Sequence, residues 1–237
     1  MRLKGRLLSV AEMVPRSKCV VDVGTDHGRL PVWLVKSGIA ERAIVTDISA
    51  ASLKKAEALI KAHGLESKIE PRVGDGLSVV YPGEADTVIV AGMGGLLIRD
   101  ILKNAPHVTA SVKTFVLQPM RAQGLLRKWL ADNGYTIVDE SLVREKDKFY
   151  EVIVARHGRQ HIPKDVYYDI GYMLIKKQDP LLKEFIEHKM AKIAAIIEQL
   201  ESQGTPDSKK ELDEFKRKLE EYREVYQWVT RYDRSSR

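Results

Sequence analysis

Residues 19–31 read CVVDVGTDHGRLP. The run CVVDV is short, apolar and closed by a glycine, the pattern of a buried parallel strand. Gly24 ends it and Gly28 follows four residues later. The apolar positions then take up a helical spacing through Leu30, Trp33 and Leu34. Strand, glycine-bearing turn and helix form the unit with which a doubly wound sheet offers backbone amides to a nucleotide.

The same unit recurs downstream. Residues 42–46 (RAIVT) predict a second strand ending on Asp47, with Ile48 beside it. A carboxylate at that place accepts hydrogen bonds from ribose hydroxyls. A helix starting near Ser49 carries Leu53, Ala56, Leu59 and Ile60 on one face. Residues 68–73 predict strand three, and Pro71 assigns it an outer position. Gly74-Asp75-Gly76 closes that strand. Asp75 is either an acceptor for an adenine amine or a plain turn residue. Strand four, residues 86–90, runs into Ala91-Gly92-Met93-Gly94-Gly95. So many glycines after a buried strand indicate close approach to a ligand or a tight turn.

Strand five (114–117) ends in Gln118-Pro119. The next helix turns Leu125, Leu126, Trp129 and Leu130 inward and leaves Arg121, Arg127 and Lys128 exposed. Two more strands, 135–143 and 149–155, flank the charged turn REKDK, so the last runs antiparallel. The expected fold is α/β, a Rossmann-like sheet of seven strands. An amphipathic helix over 3–14 precedes it. Its Arg2, Lys4 and Arg6 either meet a polyanion or face solvent.

Near residue 157 the pattern changes, dividing the chain into a cofactor-binding domain, 1–158, and a helical domain, 159–237. A short helix is expected over 165–178. Two long helices follow, with Leu182, Ile186, Lys189, Ile193, Ile196 and Leu200 on one seam. Leu212, Phe215, Leu219, Tyr222, Tyr226 and Val229 form the other. These heptad steps predict an antiparallel helical hairpin resembling a coiled coil. Gly204-Thr205-Pro206-Asp207 is its turn, with Asp207 as a helix cap.

The chain has 237 residues and a formal charge of +6. All the excess lies in residues 1–160, with 24 Lys and Arg against 18 Asp and Glu, while residues 161–237 balance at 15 of each. That favours a phosphate-bearing partner at the first domain. One cysteine, Cys19 in the first strand, excludes an internal disulfide and a thiolate metal cluster. The six histidines lack metal-ligand spacing, so no metal is expected. No apolar run approaches a bilayer span. No apolar core follows the basic N-terminal residues, so the expectation is a cytoplasmic protein without membrane association.

The first turn discriminates between cofactors. No GxxxxGK[ST] occurs, which excludes a phosphate-binding loop of that type. A dinucleotide turn wants GxGxxG, yet here Asp26 stands between Gly24 and Gly28, near Asp22. Pyrophosphate is repelled by these acids, whereas a sulfonium cofactor with an ammonium group is not. S-adenosylmethionine fits three acidic stations: Asp22 or Asp26 for the ammonium, Asp47 for the ribose and Asp75 for the adenine.

DVGTDHGRLP (22–31), TDIS (46–49), GDG (74–76), AGMGG (91–95) and LQP (117–119) together resemble a bacterial family of tRNA methyltransferases. That family acts on N1 of adenine 22 in the D-arm region. The resemblance covers nearly the whole chain. It implies a class I methyltransferase domain, S-adenosylmethionine as cofactor, tRNA as substrate and a helical tail that helps to hold it. The candidate cofactor residues, read from their places at the strand ends, are Asp22, Gly24, Gly28, Asp47, Ile48, Asp75, Gly76, Gly92 and Met93, where Met93 either lines the pocket or fills the core.

Two departures from the general class I pattern matter. Asp26 replaces the middle glycine of the first turn. Gly92-Met93-Gly94 stands where many amino-group methyltransferases carry an Asn or Asp, two prolines and an aromatic residue. The clamp for an exocyclic amine is therefore missing. N1 of adenine has an in-plane lone pair and needs alignment rather than deprotonation. Its product is a cation, which a carboxylate stabilises. Asp26 is the candidate catalytic group, or else a cap of the following helix. His27 contacts cofactor or base, or holds the turn. Arg29, Arg99, Arg121, Arg127, Lys146 and Lys148 are candidate tRNA contacts. The chain is expected to act as a monomer without an obligate protein partner. Competing readings are methylation of another RNA or a small molecule, and a non-catalytic RNA-binding protein.

Overall fold

The computed structural model describes residues 1–25, 27–203 and 206–235. They form two compact units, Met1–His161 and Ile162–Arg237.

The first unit is built on β1 (Ser17–Val23), buried at every position except Lys18. Such a strand must be covered on both faces, as parallel strands are. Beside it lie β2 (Ala40–Asp47) and β3 (Ile69–Val73) on one side, and β4 (Thr87–Met93) and β5 (Thr114–Pro119) on the other. All these pairings are parallel. The hairpin of β6 (Tyr135–Glu145) and β7 (Lys148–His157) completes the sheet, with β7 inserted antiparallel beside β5. The seven-stranded order is β3-β2-β1-β4-β5-β7-β6. Pro71 accordingly sits in an outer strand, where its missing N–H costs nothing. The chain order reverses between β1 and β4. In open sheets that switch point opens a crevice at the carboxyl ends of the strands.

Helices α1 (Gly5–Glu12), α2 (Arg29–Lys36), α3 (Ala50–Ala62), α4 (Gly95–Lys103), a short α5 (Pro106–Thr109) and α6 (Gln123–Asp132) flank the sheet. Cys19 is buried in the core. The hairpin strands run further than their apolar pattern suggested, since Glu145 pairs with Lys148 and only Lys146-Asp147 turns.

One expectation fails in α6. Arg127 does not face solvent; it is 1% exposed, and its neighbour Leu125 is 57% exposed. Leu126 and Leu130 are buried as expected, but the buried face takes in Arg127 and gives up Leu125. The reason lies in the hairpin. Arg127 Nε donates to Glu140 Oε1 at 2.5 Å and its Nη2 donates to Glu151 Oε2 at 2.7 Å. Both carboxylates are buried, Glu140 in β6 and Glu151 in β7. Burial works against the guanidinium charge, but the two carboxylates more than offset it and hold the pKa above its ordinary value. Arg127 is a structural cation and is not available to tRNA phosphate.

The second unit contains α7 (Val166–Ile170), α8 (Tyr172–Lys177), α9 (Leu182–Gln203) and α10 (Pro206–Ser235). The single helix expected over 165–178 is split by Gly171, whose φ of 104° no helix accommodates. On α9 the buried stripe is Leu182, Phe185, Ile186, Ile193, Ile197 and Leu200. Ile197 takes the place expected for Ile196, which is 37% exposed. On α10, Tyr222 and Val225 are buried. Each fully buried side chain of this size contributes about 1.5–3 kcal/mol. Lys189 lies within the stripe because its Nζ reaches the Asp169 carbonyl at 2.6 Å and sits 4.7 Å from the Phe185 ring centre. Gly204 and Thr205, and the side chains of Pro206 and Asp207, lie outside what is described.

Candidate active site

The carboxyl edge of the sheet is tied together by backbone. Gly24 N–H donates to the Thr46 carbonyl at 2.7 Å, and Thr46 Oγ1 donates to the Gly76 carbonyl at 2.9 Å. These two bonds lock the turn after β1 to β2, and β2 to the loop after β3. Gly24 has φ +74° and Gly28 has φ +64°, values that L side chains rarely adopt. At Gly28 a Cβ would also stand 3.0 Å from Ala56 Cβ and 3.2 Å from Ala56 Cα. That glycine lets α2 approach α3 closely, the helix-packing role of a third glycine in nucleotide turns.

Three carboxylates occupy this half of the edge. Asp22 is buried on β1 and bonded to the Thr25 hydroxyl; burial pushes its pKa up to about 6 against that hydrogen bond. Asp47 Oδ1 accepts the Ser49 N–H at 2.7 Å, which fixes the carboxylate at the end of β2. Asp75 is exposed after β3, on a small cleft of about 140 Å³ that Gly76, Leu77, Leu97 and Ile101 also line. Ile48 and Val73, at the ends of β2 and β3, are 74% and 57% exposed, which is unusual for large apolar groups. Val73 carries no sequence signal beyond its place at a strand end.

The other half of the edge differs. Gly92 and Met93 end β4 and Gly94 follows it, a run with no carboxamide or carboxylate of its own. A Cβ on Gly24 would stand 2.0 Å from Met93 Cε, so Met93 abuts the first turn. The other glycines of this run answer to protein contacts. A Cβ on Gly94 would meet Arg121 Nε at 3.1 Å, and one on Gly95 would meet the Ala122 carbonyl oxygen at 2.6 Å. Beyond β5 and at the start of β7 the charge is positive. Arg121, Lys146 and Lys148 are exposed, as is Arg29 at the start of α2. Arg99, on α4, is paired with Asp100 at 2.8 Å.

His27 is exposed in the first turn. Asp26 lies outside the described residues. Sequence reasoning missed the place of Arg6. Its Nη1 donates to Gln118 Oε1 at 2.6 Å, above Gly92, and its guanidinium lies over the Tyr150 ring. Among the described residues no group of His, Cys, Asp and Glu could hold a metal ion, and no helix is long and apolar enough to cross a membrane.

A parallel sheet closed by an antiparallel hairpin, with acids rather than a phosphate cradle at its switch point, defines a Rossmann-like methyltransferase. Residues 3–153 match the family model described as a methyltransferase domain. A curated relative from Bacillus subtilis, a tRNA (adenine(22)-N(1))-methyltransferase, is 32% identical over 95% of this chain and 97% of its own. A solved B. subtilis m1A22 tRNA methyltransferase aligns with TM-score 0.86 and 33% identity, covering 95% of this chain and 99% of that one. A Streptococcus pneumoniae protein, described as a candidate tRNA (m1A22) methyltransferase and solved with S-adenosyl-L-methionine, aligns with TM-score 0.84 and 30% identity. That alignment covers 95% of this chain and all of the other. The chain belongs to the bacterial tRNA (adenine(22)-N(1))-methyltransferase family.

Proposed function

We infer that the chain methylates N1 of adenine 22 in tRNA, with S-adenosylmethionine as methyl donor. The observation that carries this reading is the division of the carboxyl edge: carboxylates at β1, β2 and β3, a bare Gly-Met-Gly turn at β4, and cations beyond β5.

The acidic half suits a cationic nucleoside and repels pyrophosphate. Asp47 offers its carboxylate to the ribose, Asp75 to the adenine amine, and Ile48 and Val73 cover the adenine faces. Asp22 faces the ammonium directly or through the turn. When bound, S-adenosylmethionine supplies an electrophilic methyl group on sulfur. The protein's share of the chemistry is alignment. Its β4 turn carries no side chain that would hold an exocyclic amine for attack. Adenine N1 keeps its lone pair at neutral pH and needs no general base. Asp26 and His27 are proposed to face the base, with Asp26 balancing the charge that it gains.

The exposed Arg29, Arg121, Lys146 and Lys148, and Arg99 on its exchangeable pair, are proposed as tRNA phosphate contacts. The helical unit is proposed to grip the folded RNA by shape. The target base must leave its stack to reach the β4 turn. The protein is proposed to act as a monomer in the cytoplasm, where its substrate is found. The test is methyl transfer to unmodified tRNA transcripts carrying adenine or guanine at position 22. Label is expected on the first alone; equal labelling of both overturns the assignment of the target.

A further inference from the structure

We propose that Arg6, held in place by Gln118, is the hydrogen-bond donor that orients the target adenine through its N7. This rests on the reading that adenine N1 is the methyl acceptor.

The pair is built as a fixed device. Gln118 is fully buried at the end of β5. Its Oε1 accepts both Gly92 N–H at 3.0 Å and Arg6 Nη1 at 2.6 Å, and its Nε2 donates to the Pro119 carbonyl at 3.1 Å. With oxygen and nitrogen both committed, the amide cannot flip. Arg6 is anchored three further ways. Its backbone N–H donates to Glu145 Oε1 at 2.6 Å, its guanidinium lies 5.4 Å from the Tyr150 ring centre, and Nη1 is 3.4 Å from Met120 Sδ. One nitrogen of the fork is thus used. Among the described residues nothing further engages Nε or Nη2.

The fork stands where the amine clamp is missing. Nη1 would lie 3.2 Å from a Cβ on Gly92. An arginine from α1 thus fills the space over the β4 turn that a side chain of the turn would otherwise enter. Adenine presents ring acceptors at N1, N3 and N7. N1 must face the methyl group, so the guanidinium needs another. N7 is the one farther from N1, which keeps the fixed cation away from the charge that N1 gains. Recognition on this edge is common for unstacked RNA bases. Met120, 45% exposed, supplies an apolar surface beside it.

The test is a cycle of two changes: Arg6→Gln in the protein and 7-deazaadenosine at position 22 of the tRNA. With natural tRNA, Arg6→Gln is expected to lower kcat about tenfold or more, the worth of one hydrogen bond to a charged group. KM for tRNA, S-adenosylmethionine affinity and Tm should change little. The deaza base should cost the wild type a similar factor and cost the variant much less, so that the two changes are not additive. A 3-deaza base should cost both proteins equally. Fully additive losses, or an unchanged kcat, overturn the proposal. Arg6→Lys keeps the cation without the fork and covers the case in which the glutamine variant does not fold; it should show the same non-additivity. If wild-type protein fails to methylate N1 of natural tRNA, the underlying function fails instead, and the two failures are distinct.

Discussion

Asp22 accepts a hydrogen bond from Thr25 beneath the first turn, in surroundings that hold its pKa near 6. Folding therefore raises this carboxyl above its ordinary 3.8. The sign follows from linkage: the stability that it contributes is fully present below about pH 4 and is lost as pH rises through 6. The ligand-free protein carries that penalty at neutral pH. Asp22→Asn should stabilise the ligand-free protein at pH 7.5, by on the order of 2–3 kcal/mol at most, and so raise its Tm, with no gain at pH 4. The same variant should bind S-adenosylmethionine more weakly, and wild-type binding should weaken as pH falls through 6. Thermal melts at the two pH values and cofactor titrations check this. A Tm difference independent of pH would contradict it.

Arg127 is buried between two carboxylates, so removing it strands both. Arg127→Met should cost about 3–5 kcal/mol in urea unfolding. Combining it with Glu140→Gln and Glu151→Gln should restore most of that loss. Where the variants stay folded, KM for tRNA should not change. A selective rise in KM with intact stability would return Arg127 to the substrate surface.

Gly95 has no open space for a methyl group, because the Ala122 carbonyl oxygen stands 2.6 Å from where its Cβ would be. Gly95→Ala should destabilise by about 1–3 kcal/mol, the usual cost of overpacking. It should also lower turnover, since the β4 turn shifts with it. Gly38→Ala, with nothing within 4 Å of its Cβ, should cost only the left-handed backbone, about 1 kcal/mol, and leave turnover alone.

Arg121, Lys146 and Lys148 line the basic half of the edge. Each changed to alanine should raise KM for tRNA and lower the slope of log affinity against log salt by about one, leaving cofactor affinity unchanged. Filter binding over a salt series measures both. An unchanged slope removes that residue from the interface.

The fold was legible where one residue type has one physical use. Pro71 marked an outer strand, and the tight β6–β7 connection forced an antiparallel closure. What stayed hidden depends on pairing across the fold. Arg127 reads as exposed in a helical pattern, because its carboxylates come from two later strands. Glu151, an acid opening the apolar run 152–155, was the available signal, whereas Glu140 stands between Asp139 and Ser141. Arg6 sat among basic residues of a surface helix, and nothing local tied it to Gln118, 112 positions away. A heptad also admits Ile196 or Ile197, and only packing selects the second.

The most direct test of the central claim is the chemical identity of the product. Unmodified tRNA transcript is incubated with the protein and S-adenosylmethionine, then digested and separated by nucleoside. A parallel sample is reverse-transcribed, since a methyl group on N1 blocks base pairing. The expected result is N1-methyladenosine with a single stop opposite position 22. N6-methyladenosine, or a stop at any other adenine, would contradict the reading of the β4 turn as an N1 site.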